Sequence, residues 1–251
     1  MIMCKCILPF LLLILLSMPT SILASQLSVG ISTGYPPYYY RQDGKLKGIC
    51  IEIVNQIASE LNLEIVYKEF PWKRLLTSAK KGHVDAIMPL FKTTDRQKYL
   101  HYEGLGLAYE SNHLFSTHDA PIIFDGNFTS LQNYRVGVIA DYSYGEQFDY
   151  VSDLLKKVTT QNEQHLIEMF THHRFDIGIG NKYVIEYYAK EKGVDQKIRF
   201  IDPPITNTML YLAFSKKHHN NQLWEKFAAA LHNFKETDQY RKLLKKYDMD
   251  D

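Results

Sequence analysis

The sequence predicts an α/β protein of two lobes, each a mostly parallel sheet flanked by helices, and three observations lead there. A strand–helix–strand–helix–strand order fills Leu27 to Leu90, and a similar order restarts between Tyr134 and Gly193. Alternation of this kind builds a parallel sheet covered by helices. The segments joining the blocks, around Tyr109–Thr117 and Met209–Ser215, read as extended chain rather than as flexible linkers. Two such lobes joined by extended segments leave a cleft, the usual place for a small ligand.

Each element has its own signal. Leu27–Ile31 alternates and is β-rich until Gly34-Tyr35-Pro36-Pro37 stops it. Ile49–Leu61 sets Ile49, Ile53, Ile57 and Leu61 four apart, with Val54 and Ala58 beside them, an amphipathic helix stripe. Leu63–Tyr67 reads as a strand, Trp72–Ala79 as a helix ended by Gly82, and Val84–Leu90 as a short buried strand. In the second block Tyr134–Ile139 and Phe175–Ile179 are strands. Gln164–Phe170 and Lys182–Lys192 are helices, the latter closed by Gly193. Met209–Ser215 is strand-like, and two helices, Gln222–Phe234 and Thr237–Tyr247, follow it.

Composition narrows the function classes. The chain has 251 residues, 45% hydrophobic and 23% charged, which excludes disorder and collagen-like repeats. A formal net charge of +1 gives no basic field for nucleic acid. Met1–Lys5, the aliphatic run Ile7–Leu16 and the shorter side chains up to Ala24 have the three-part layout of a secretory signal peptide. The run falls short of the roughly 20 residues that cross a bilayer. Cleavage after Ala24 is expected, although Ile22 is large for its place. It would remove Lys5, Cys4 and Cys6, leaving 28 basic against 28 acidic residues and Cys50 alone. A lone thiol makes no internal disulfide, so packing must hold the mature protein together. No cysteine follows the apolar run, so a lipid anchor is not expected.

Taken together, Leu27-Ser28-Val29-Gly30, Gly34-Tyr35-Pro36-Pro37-Tyr38 and Gly44-Lys45-Leu46-Lys47-Gly48 resemble the opening of the family 3 extracellular solute-binding proteins of ABC importers. Trp72 with Leu75, Gly82-His83-Val84-Asp85-Ala86-Ile87 and Thr93-Thr94-Asp95-Arg96 resemble the middle segment of that family. Val136-Gly137-Val138 with Asp141-Tyr142-Ser143-Tyr144-Gly145, then Leu166–Ile179 and Ala213-Phe214-Ser215-Lys216, are similar to its second half. The resemblance covers Leu27–Tyr247. It implies the type II periplasmic-binding-protein fold: lobe 1 from residues 25–112 plus 208–251, lobe 2 from 113–207, joined by two hinge segments. The implied function is capture of a small polar solute, an amino acid or a related compound, by a monomer in the periplasm. Delivery would be to an ABC permease, with no cofactor and no covalent chemistry.

The resemblance also assigns residues. By spacing alone Arg96 reads as a surface arginine paired with Asp95 or Glu103. The matching family arginine, however, holds the ligand carboxylate through its rigid fork of donors. Ser143 is either an ordinary turn residue or the hydroxyl of the opposing turn. Tyr35 and Trp72, at loop–element junctions beside prolines, match aromatics that sandwich the ligand; core packing is the other reading. Tyr38 and Tyr40 are weaker candidates. Arg74, one helical step past Trp72, would face either the cleft or solvent. Phe91, in Met88-Pro89-Leu90-Phe91 where the family carries small hydroxyl or glycine residues, is placed in the pocket.

The departures bear on the solute. Asn181 stands where amino-acid binders carry the acid that receives the ammonium, Ser32 stands near the first strand where an acid is common, and Pro89 has no N–H to give. A bulkier, less polar or differently charged solute is therefore admitted. Two other functions use the same fold. A dehydratase-like enzyme would need a cleft acid, for which Glu52, Glu69, Asp85 and Glu103 are nominees without a convincing partner. A sensory protein would act through a separate membrane partner. The His172-His173 and His218-His219 pairs match no metal-ligand spacing, and the Asn127-Phe128-Thr129 sequon reads as a chance match.

Overall fold

The computed structural model describes residues 25–102, 104–218, 221–247 and 249; residues 1–24, where a signal peptide is expected, Glu103 and His219 lie outside them. In the first block β1 (Ser25–Ile31) pairs in parallel with β4 (Leu63–Glu69) and β5 (Ala86–Leu90). Helices α1 (Ile49–Glu60) and α2 (Trp72–Lys81) make the crossovers. In the second block β8 (Arg135–Ile139) pairs in parallel with β9 (Lys156–Thr160) and β10 (Ile177–Asn181), with α5 (Glu163–Thr171) and α6 (Lys182–Glu191) following β9 and β10. The first block matches the strand and helix order read from the sequence; the second contains each expected element and adds β9 between β8 and α5.

The segments joining the blocks form an antiparallel ribbon. Strand β7 (Gly106–Ser116) pairs with the seventeen-residue β11 (Arg199–Ser215) along most of its length. β11 also pairs with β5 in the first block, and β7 with β10 in the second. The result is one continuous order, β4-β1-β5-β11-β7-β10-β8-β9, with β6 (Leu100–His101) on the side of β11. The ribbon therefore belongs to both sheets and carries the chain across twice. Glu110 and Leu210 of the ribbon line a pocket shared with both blocks.

The edge strands are blunted by charge. Glu64, Lys68 and Glu69 on β4, and Lys156 and Lys157 on β9, are exposed. Exposed charges discourage edge-to-edge pairing with other chains. They also explain why β9 was not foreseen, since Lys-Lys-Val-Thr-Thr carries almost no apolar alternation. The remaining unforeseen elements are short. They include β6, the hairpin of β2 (Tyr40–Gln42) and β3 (Lys45–Lys47), α3 (Thr94–Gln97), α4 (Glu146–Val151) and single 3-10 turns such as Phe128–Asn133.

The α1 stripe is buried as its spacing demands, with Ile49, Ile53, Val54, Ile57 and Ala58 all inside. Each fully buried isoleucine contributes roughly 2 kcal/mol. Gly48 opens this helix at φ 123°, and a Cβ there would stand 2.3 Å from the Tyr38 carbonyl oxygen. That close approach lets Ile49 and Cys50 donate their N–H groups to the Pro37 and Tyr38 carbonyls. The helix thus pins the aromatic loop that reaches into the cleft. Cys50 is buried, and the C-terminal helices α7 (Asn221–Lys235) and α8 (Asp238–Lys246) pack near α1.

Candidate functional site: a cleft with a buried arginine and a buried acid

A small pocket lies against the ribbon. Tyr35, Trp72, Phe91 and Arg96 line it from the first block, Tyr142 and Ser143 from the second, and Glu110 from the ribbon. Five sequence candidates (Tyr35, Trp72, Phe91, Arg96 and Ser143) therefore converge on one space.

Arg96 sits in the single turn of α3, whose N-cap Thr93 accepts the Arg96 N–H at 3.3 Å. Its side chain is buried, with 7% exposure. The guanidinium donates from Nη1 to the Phe91 carbonyl at 3.1 Å and from Nη2 to the Asp141 carbonyl at 3.4 Å, and lies 5.3 Å from the Trp72 ring centre. Burial pulls its pKa below the usual arginine value, opposed by nearby Tyr102, Tyr99 and Asp149. Arginine still keeps its charge. Asp95 does not pair with it: that carboxylate holds Lys98 at 2.5 Å on the surface. Among the described residues no carboxylate stands within ion-pairing distance of Arg96.

The opposing turn follows β8. Trp72 Nε1–H donates to the Asp141 carbonyl at 3.0 Å, so one oxygen accepts from both Trp72 and Arg96. The Trp72 and Tyr142 rings meet edge-on at 5.2 Å. The Ser143 hydroxyl donates to Asp149 Oδ2 at 2.5 Å and is held as part of that turn.

Two further bonds bridge the blocks. Asn181 Nδ2 donates to the Tyr38 hydroxyl at 2.9 Å, and the Tyr188 hydroxyl donates to the Gly34 carbonyl at 2.6 Å. Asn181 does not line the cavity. It caps α6, its Oδ1 accepting from the Tyr183 N–H at 3.0 Å, and is 2% exposed. Arg74 is exposed on the outer face of α2, away from the cavity. Tyr38 is fully buried and donates to the Tyr109 carbonyl, whereas Tyr40 packs near Tyr187 at the rim.

Two acids that the sequence reading passed over are buried here. Glu110, on β7, lines the cavity with 6% exposure; it accepts the Tyr35 hydroxyl at 2.6 Å on Oε2 and Asn112 Nδ2 at 2.8 Å on Oε1. Burial lifts its pKa to about 7, against those hydrogen bonds and the charge of Arg96. Glu163, the first residue of α5, is 3% exposed and accepts the Tyr142 hydroxyl at 3.0 Å; burial lifts it to about 7 as well. Alternation hides Glu110, because it would put Tyr109 inside and Glu110 outside. The structure inverts this, with Tyr109 64% exposed. Glu163 hides behind Asn162, which reads as an ordinary cap and does accept the His165 N–H.

The earlier acid nominees stand elsewhere. Glu69 pairs with Arg41, Glu52 with Lys246 and Tyr247, and Asp85 with Ser28 and His218; none lines the cavity. Among the described residues no group of three or more His, Cys, Asp or Glu could hold a metal ion, and no helix is long and apolar enough to cross a membrane.

The family profile of bacterial extracellular solute-binding proteins, family 3, matches residues 27–250. The chain belongs to that family. Family 3 proteins bind solutes. The arginine-binding extracellular protein ArtP of Bacillus subtilis (strain 168) is 22% identical over 228 residues, covering 88% of this chain and 86% of that protein. Among solved structures, a histidine kinase sensor domain with similarity to periplasmic binding proteins aligns with a TM-score of 0.78 at 18% identity, over 88% of this chain and 95% of that one. An ancestral arginine-binding protein bound to arginine aligns with a TM-score of 0.76 at 20% identity, over 89% and 98%. These structures share the two-lobe type II fold.

Proposed function

We propose that this family 3 solute-binding protein closes on a small solute bearing a carboxylate, which Arg96 holds, and hands it to an ABC permease. The observation that carries the reading is the buried Arg96 guanidinium, which lines the cleft without a counter-charge among the described residues. A buried guanidinium without a counter-charge is costly to keep, and an anion seated against it supplies the missing partner. The Asp141 carbonyl is the group that such an anion would displace from Arg96, while Trp72, Tyr35 and Phe91 supply flat apolar walls. Relatives named for arginine and histidine binding support an amino acid or a related compound as the solute.

In this reading lobe 1 comprises residues 25–112 plus 208–251 and lobe 2 comprises 113–207, hinged within β7 and β11. The leader of residues 1–24 directs export to the periplasm without a lipid anchor, and the mature protein works as a monomer. The test is a thermal-shift and calorimetry panel of amino acids, polyamines, dipeptides and organic acids on wild type and Arg96→Ala. Arg96→Ala should remain folded and lose any carboxylate solute by a hundredfold or more. Unchanged affinity would remove Arg96 from the site. Turnover of prephenate without binding of the panel would replace the transport reading with an enzymatic one.

A further inference from the structure

We propose that Glu110 is a ligand-contacting residue that receives a protonated amine of the solute, so that the cleft takes a zwitterion with its anionic end on Arg96 and its cationic end on Glu110. The inference rests on the reading of Arg96 as the carboxylate site and adds the second pole.

Glu110 and Arg96 line the same cavity, yet neither is neutralised by an opposite charge at contact distance among the described residues. Glu110 is held instead by neutral donors, the Tyr35 hydroxyl on one oxygen and the Asn112 amide on the other, with the Asn181 side chain also stabilising its charge. A carboxylate oxygen offers two lone pairs, so each keeps capacity for a further donor. Asn112 Nδ2 donates both to Glu110 Oε1 and to the Thr206 hydroxyl oxygen on β11, which ties the acid to the ribbon.

Strand register explains how the acid reaches this place. Asn181 on β10 lies opposite Asn112 on β7, and Glu110 is two residues from Asn112, on the same face of β7. Position 181 carries no charge, and its amide is committed to Tyr38 and to capping α6. The negative charge near this corner therefore comes from the neighbouring strand. The groups facing Glu110 are Tyr35, Asn112 and Asn181, with Arg96 exerting a favourable field; Glu163 is the other buried acid near enough to interact with it. A cation at Glu110 would compensate a charge that burial otherwise disfavours.

The experiment compares zwitterions with the same acids lacking the α-amino group: L-arginine, L-histidine and L-glutamine against their des-amino counterparts. Titration calorimetry is run on wild type, Glu110→Gln and Arg96→Ala. Wild type should prefer the best zwitterion over its des-amino acid by tenfold or more. Glu110→Gln should weaken that zwitterion at least tenfold while leaving the des-amino acid within twofold. A Glu110→Gln variant that binds the zwitterion as wild type does overturns the proposal. So does a wild type that binds the des-amino acid equally well, a comparison that needs no variant to fold. Retained binding in Arg96→Ala with loss in Glu110→Gln overturns the carboxylate reading alone, and a wild type that binds none of the panel overturns both.

Discussion

Replacing Glu110 by glutamine should change how the protein's stability depends on pH, and the size of the change follows from burial. An ordinary glutamate titrates near 4.5, whereas the buried Glu110 carboxyl is pushed up to about 7. Below the lower value both folded and unfolded chains hold the proton, and burial of the carboxyl costs nothing extra. Between the two values the unfolded chain releases its proton and the folded chain keeps it, so stability falls as pH rises. Above about 7 both are ionised and the full cost, about 3 kcal/mol, is in place. Glutamine has no proton to lose. It does lose one of the two acceptor oxygens that Tyr35 and Asn112 use, a pH-independent cost of about 1 kcal/mol. That cost cancels when the variant is compared with wild type at two pH values. Glu163 adds to the effect, because removal of the Glu110 charge also relieves Glu163. The variant's stability relative to wild type should therefore rise by about 2–3 kcal/mol from pH 5 to pH 8. For a chain of this size that is a relative gain in Tm of roughly 5–10 °C. The assay is thermal unfolding followed by circular dichroism, on protein stripped of solute by unfolding and refolding. An offset that is the same at both pH values would refute the argument that Glu110 ionises in a desolvated site.

Two other substitutions probe closure and packing. Trp72→Phe keeps a ring against Tyr142 but removes the N–H given to the Asp141 carbonyl. Loss of about 1 kcal/mol should shift the solute-free protein roughly fivefold toward an open form, seen as a larger radius of gyration by small-angle scattering. An unchanged radius would show that this bond does not hold the lobes together. Gly178→Ala would bring a Cβ to 2.1 Å from the Phe115 ring, between the ribbon and β10. Such overpacking should cost about 1–3 kcal/mol, read as a lower urea midpoint at an unchanged m-value. An unmoved midpoint would mean that the Phe115 ring yields freely.

Much of the fold was legible because its elements carry periodic apolar signals. The α1 stripe, the glycine stops and the buried strands β1, β5 and β8 state their own partners. Strand β9 and the β2–β3 hairpin were not legible, since their side chains face solvent and their place depends on a neighbouring strand. For the site, Arg96, Trp72, Tyr35, Phe91 and Ser143 were singled out by resemblance, and the structure gathers them around one cavity. Asn181, placed by the resemblance, and Arg74, nominated by its helical step past Trp72, stand outside it. The physical difference is commitment: the Asn181 amide is used up in capping α6 and bonding Tyr38, and Arg74 lies on the solvated side of its helix.

The amino-acid sequence alone determined the alternation of strands and helices, the two-block order and the family, because each of these is written in local spacing. Only the tertiary structure decided which charges share the cleft. Whether a glutamate on an extended strand faces water or a neighbouring arginine depends on how β7 is seated between β10 and β11. The burial that makes Glu110 chemically unusual is a property of the assembled sheet, not of the residues beside it in the chain.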